Sequence, residues 1–136
     1  MTHEDLARSY LKKIEVRLKV LPLFLEEKDY SDVVREAQEI VELALKGILR
    51  KFTIDPPKIH DVSKILLEYK DRFSVEEFNL LDSILEDSKW LRKERELSMY
   101  GDIDFIPTEE YDEKEAMRAL HAATVSVTLS KKIIEA

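Results

Sequence analysis

The sequence predicts an all-α fold: an antiparallel up-down helical bundle of four long helices and one short helix, in a single domain covering residues 1–136. Three observations predict it. The 136-residue chain is rich in leucine, isoleucine, glutamate and lysine, a composition that suits long helices. It has only two glycines and four prolines, too little turn chemistry for an all-β fold. Apolar residues recur at three- and four-residue spacing in four separate stretches. With 44% hydrophobic residues the chain can bury a modest core as one domain.

The first stretch runs from about Thr2 to Glu27, with Leu11, Ile14, Leu18, Leu21 and Leu25 forming one stripe. Thr2 is its expected cap. Pro22 lies inside the pattern, where it must kink the helix or start a new piece. The second helix, Ser31 to about Lys51, carries Val34, Ala37, Val41, Leu45 and Ile48, with Asp29 or Ser31 as its cap. Pro56 and Pro57 in FTIDPPKIH interrupt the pattern. A short helix follows from about Asp61 to Tyr69. The fourth stretch opens on a capping box, Ser74 with Glu77, and its inner face is Leu81, Ile84, Leu85, Ser88 and Leu91. It is expected to continue towards Tyr100. Asp112 with Glu115 caps the last helix, lined by Ala116, Leu120, Ala123 and Val127.

The formal net charge is −7, with 38% of residues charged. This is not the profile of a nonspecific nucleic-acid binder, although a local basic patch stays open. Without cysteine there is no disulfide or thiolate chemistry. No apolar run reaches membrane-spanning length, and the opening MTHEDLARSY is too polar for a signal peptide, so the expectation is a soluble cytoplasmic protein with no membrane partner. Gln38 and Asn79 are the only side-chain amides, a bias of thermophile proteins.

One segment stands apart, LRKERELSMYGDIDFIP, residues 91–107. A charged helix ends at Gly101, where the left-handed conformation that closes a helix is easily reached. Phe105 and Ile106 then anchor the exit to the bundle or to a second subunit. Arg92, Lys93 and Arg95 offer cations, Tyr100 a hydroxyl, and Asp102 and Asp104 carboxylates.

Three pieces together resemble the HEPN family. VREAQEIVELALKGILR, residues 34–50, resembles its second helix, with an acid-x-x-x-Lys pattern matched by Glu42 and Lys46. KIHDVSKILLEY resembles its short helix entered by a His-Asp pair, matched by His60 and Asp61. LRKERELSMYGD resembles its functional segment. The resemblance implies a helical bundle paired as a homodimer. It also implies the family's functions: metal-independent ribonucleases, some of them toxins of toxin–antitoxin pairs, nucleotide binders, and partners of a minimal nucleotidyltransferase. Nuclease members carry an Arg followed, after four to six intervening residues, by a His. Here those positions after Arg92 are Leu97, Ser98 and Met99, and after Arg95 they are Tyr100, Gly101 and Asp102. In one toxin group a tyrosine of this region is modified with AMP by the partner transferase.

Metal-free RNA cleavage needs a base, an acid and a cation on the phosphorane. Arg95 offers the cation, and Arg92, Lys93, Arg95 and Tyr100 a phosphate or nucleotide grip. Tyr100 is a poor base at its reference pKa near 10. Asp102 or Asp104 would serve as base while repelling phosphate. Binding is therefore the leading expectation, either of nucleotide or RNA or of a nucleotidyltransferase. The alternatives are a His-less ribonuclease using Arg95, Tyr100 and Asp102, and a purely structural adaptor. No metal and no cofactor are expected, since Asp102, Asp104, Glu109 and Glu110 match no ion-loop spacing. The bland reading of residues 92–96 is a solvated face with i,i+4 pairs such as Arg92 with Glu96. Glu42 with Lys46 reads as a structural pair, His60 and His121 as packing or flank residues, and Trp90 as a core or dimer contact.

Overall fold

The computed structural model describes residues 2–58 and 62–136. Its elements are α1 (His3–Leu18), α2 (Leu21–Glu26), α3 (Tyr30–Lys51), α4 (Val62–Glu68), a 3-10 turn (Lys70–Arg72), α5 (Val75–Ser83), α6 (Leu85–Met99), α7 (Pro107–Glu110) and α8 (Glu113–Ile134). Among the described residues the protein is all-helical, and no helix is long and apolar enough to cross a membrane. The His60–Asp61 pair lies outside the described residues.

The predicted caps form. Thr2 accepts from the Asp5 backbone N–H at 3.1 Å, and Ser74 and Asp112 make the same bond to Glu77 and Glu115 at 3.1 and 2.9 Å. Each closes a reciprocal capping box. Asp29 is the N-cap of α3, but its side chain makes no capping bond. Its carboxylate instead accepts from Ser31 Oγ at 3.3 Å.

Two elements differ from expectation. Pro22 does start a new piece: it falls in the first turn of α2, where its missing N–H costs nothing. The fourth stretch does not run unbroken to Tyr100. Ser83 Oγ donates to the Leu80 carbonyl at 2.7 Å, and Ile84, at φ −112° and ψ 3°, separates α5 from α6. A serine that bonds back to its own helix competes with the ladder without leaving a proline or glycine signal. The four-residue helix α7 also had no periodic signal.

The centre of the molecule is α3, which packs against α8, α1 and α6. The predicted residues Val34, Ala37, Val41, Leu45 and Ile48 are all buried on it. Gly47 lets α8 approach closely: a Cβ there would meet Ile134 Cδ1 at 3.3 Å. The facing α8 residues are small or medium: Ala116, Ala119, Ala123, Ser126 and Ser130 are fully buried, while Leu120 of the predicted stripe is only partly so. Ion pairs show which ends meet. Arg17 of α1 pairs with Glu36 early in α3 at 3.1 Å, and Lys51 at the end of α3 reaches Glu4 at 3.0 Å. Arg118, early in α8, pairs with Asp87 of α6 at 2.6 Å.

Two helices end on residues other than glycine with positive φ, Lys28 (56°) after α2 and Thr53 (67°) after α3. Both close with paired bonds, such as Ile54 N–H to Leu49 C=O at 2.9 Å and Thr53 N–H to Arg50 C=O at 2.9 Å. A β-branched residue is strained in that region. Thr53→Gly is expected to stabilise the fold by about 0.5–1 kcal/mol, a shift of a few degrees in Tm by differential scanning calorimetry.

The start of α3 carries an acidic strain. A hydrogen bond shared with Asp29, then burial, then the charges of Asp29 and Glu36 push the Asp32 carboxyl up to about 6. A folded-state pKa above the unfolded value means the native state holds the extra proton. Stability is then greatest below about pH 4 for this group and is lost as pH rises through 6. Asp32→Asn should raise Tm at pH 7 and flatten the pH 4–7 slope of a urea-denaturation series.

Candidate anion-binding site

The functional segment is the end of α6 and its exit. The helix stops in a single 5→1 bond, Gly101 N–H to Leu97 C=O at 3.0 Å, with Gly101 at φ 67°. Here the glycine is needed for space as well as for φ. A Cβ would run into the Phe105 carbonyl and lie 2.6 Å from Pro107 Cδ. The chain then reverses in a tight turn in which Asp102 and Phe105 exchange both backbone bonds at 2.9 Å. Asp102 Oδ1 accepts the Ile103 N–H at 2.8 Å, so this carboxylate is part of the turn's own bonding.

A shallow hollow opens against this end, lined by Arg92, Lys93, Arg95, Glu96, Leu97, Gly101 and Asp102. The sequence-predicted Arg92, Lys93, Arg95 and Asp102 therefore come together. Tyr100 is not in the lining. It is 76% exposed and belongs instead to an apolar tip with Met99, Ile103 and Ile106. Phe105 does anchor the exit: it is partly buried and meets the buried Tyr111 ring edge-on at 5.6 Å, whereas Ile106 is half exposed.

Several contacts fix α6. Tyr111 donates to Glu94 Oε2 at 3.4 Å, and burial, then the nearby Glu94 charge, hold the phenol protonated far above its usual range. The Arg118 guanidinium lies 4.2 Å over the Trp90 ring, so that face of Trp90 is covered and unavailable to stack on a base. His121 is exposed on α8.

A group of charges on α3 lies against Arg95, outside the hollow's lining; its Glu42 and Lys46 stand out in the sequence, its Arg35 and Glu39 do not. Arg35, with 19% of its side chain exposed, donates through Nη1 to the Arg95 carbonyl at 2.8 Å. Its Nη2 lies 3.1 Å from Glu39 Oε1, and Arg95 Nη2 approaches the same oxygen at 3.7 Å. One turn on, Glu42 pairs with Lys46 at 3.3 Å and accepts from Gln38 Nε2 at 3.0 Å. Burial works against the charge on Glu42, but the Gln38 bond and Lys46, with Arg95 further off, outweigh it and hold the carboxyl below its usual range. The only local signal for Arg35 and Glu39 was their helical spacing from Glu42 and Lys46, on a helix that also carries Asp32, Glu36, Arg50 and Lys51.

Because Gly101 carries both the helix end and the hollow's floor, Gly101→Ala is expected to cost about 2 kcal/mol or more. Chemical denaturation of the purified variant measures it; an unchanged midpoint would show that the exit can re-route around a methyl group.

The search of curated proteins finds no match, and neither does the search of solved structures. A family model described as the HEPN domain matches residues 7–133, nearly the whole chain, and takes in α3 with its group of charges, α6 and its glycine-closed exit. The chain belongs to the HEPN domain family.

Proposed function

We propose that the protein is a cytoplasmic, homodimeric HEPN module that binds a nucleotide or RNA by its phosphates, with Arg92, Lys93 and Arg95 as the phosphate-binding residues in the hollow and Tyr100 exposed beside it. We further propose that it works beside a minimal nucleotidyltransferase, in a toxin–antitoxin-type pair. The observation that carries the binding reading is the hollow itself. A chain with net charge −7 gathers Arg92, Lys93 and Arg95 at one helix end. Pairing with a second subunit or a partner is supported by the exposed apolar tip, where Ile103 is 93% and Tyr100 76% exposed beside that hollow. We read the helices as an up-down bundle, supported by the two ion pairs that join α1 and α3 at opposite ends.

Cleavage would require a group to take the 2′-hydroxyl proton. The segment contains no histidine, and the Asp102 carboxylate is already bonded to the Ile103 N–H. Binding is therefore the reading we adopt over a ribonuclease of Arg95, Tyr100 and Asp102, and over a structural adaptor.

Fluorescence anisotropy of a labelled single-stranded RNA in EDTA tests it. Arg95→Ala is expected to weaken binding about tenfold and to lower the salt slope by about one, while the RNA stays intact. Equal affinity in the two proteins would sink the phosphate reading. RNA cut by wild type but not by Arg95→Ala would replace it with the ribonuclease.

A further inference from the structure

We infer that Arg35 and Arg95 form a two-arginine slot for one phosphate group, and that Glu39 is its internal occupant, which a ligand must displace. The inference rests on the phosphate-binding reading above and adds to it a residue from α3 and a built-in competitor. It starts from the convergence of two guanidinium groups, carried on different helices, upon the single oxygen Oε1 of Glu39 at 3.1 and 3.7 Å. Two guanidinium groups pointed at one anionic oxygen are the arrangement that phosphate oxygens also satisfy.

The neighbouring groups make Glu39 the acid that moves. Glu36 is held by Arg17 at 3.1 Å, and Glu42 by Gln38 and Lys46. Arg35 is fixed by its bond to the Arg95 carbonyl, so its Nη2 cannot follow Glu39 away from the slot. Glu39 itself is 31% exposed and also borders a groove on its α1 side, lined with Lys13, Arg17 and Lys46. A rotation about its side-chain torsions exchanges the two arginines for that cationic groove. The acid leaves one set of cations for another, and the vacated slot keeps two positive charges for the phosphate. These charges would repel one another if left empty, so Glu39 also keeps the unliganded fold from paying for its own binding site.

A plain structural ion pair between α3 and α6 makes a different forecast, and Glu39→Gln separates the two. Inorganic phosphate is titrated into wild type, Glu39→Gln, and Glu39→Gln combined with Arg35→Lys, following the arginine Nε–Hε signals by NMR and Tm in parallel. The expected result is about tenfold tighter phosphate binding by Glu39→Gln, with a larger phosphate-dependent rise in Tm than wild type shows. Arg35→Lys, which keeps the charge but loses the fork, should return affinity towards the wild-type level. Unchanged or weaker phosphate binding by a folded Glu39→Gln overturns the slot, even if wild type binds RNA through Arg95. Tighter phosphate binding with no RNA affinity in any protein upholds the slot and removes the nucleotide reading instead.

Discussion

The burial of α3 is the constraint on which the rest of the structure depends. Twelve of its 22 residues are buried, because α1, α6 and α8 pack around it. A helix enclosed on so many sides has little circumference left for polar groups. Within the partly exposed remainder, which also holds Asp32, Glu36, Leu43 and Arg50, one strip is formed by Arg35, Glu39, Glu42 and Lys46, spaced four, three and four residues apart. Charges placed there are half-buried, so their mutual interactions are stronger than on an open surface. The strip therefore settles itself internally: Arg35 with Glu39, and Lys46 with Glu42. The site arises where α6 brings Arg95 against that settled strip and adds a cation to an acid already engaged.

Much of this was legible in the sequence, and the parts that were not share a physical reason. Helix type, the caps at Thr2, Ser74 and Asp112, the Pro22 break and the Gly101 stop are all set by neighbours within four residues, so local pattern reports them. The break at Ile84 falls beside Ser83, whose hydroxyl bonds back to the Leu80 carbonyl, and no proline or glycine marks it in the sequence. The α6 half of the site was legible because Arg92, Lys93, Arg95 and Asp102 lie within eleven residues and fold into one hollow. Tyr100 shows the limit of such spacing: it is adjacent to Gly101 in sequence, yet the turn sends its side chain away from the hollow's lining. Arg35 and Glu39 were not legible. They precede Arg95 by 60 and 56 positions, and only packing determines that they meet it.

The three helix ends with positive φ separate two uses of one backbone conformation. Lys28 and Thr53 hold it at a cost in strain, at connections where a side chain has room. Gly101 holds it where no side chain fits, because the Phe105 carbonyl and Pro107 close over the same point. The tightness of that exit is what keeps Asp102 and Arg95 on one hollow, since any looser loop would let the chain leave α6 along another path.

The hollow and the apolar tip share this exit, and that has a thermodynamic consequence. Gly101 and Asp102 line the hollow, while Met99, Tyr100, Ile103 and Ile106, immediately around them in the chain, form the exposed surface. A second subunit or partner seated on the tip would restrict the same six or seven residues that a phosphate ligand needs in place. If a partner on the tip shifts this exit, the two affinities are coupled, and coupled equally in both directions. The coupling has a defined route back to α3. Restricting the tip restricts the last turn of α6, the Arg95 carbonyl in that turn is the acceptor that fixes Arg35, and Arg35 is one of the two groups that hold Glu39.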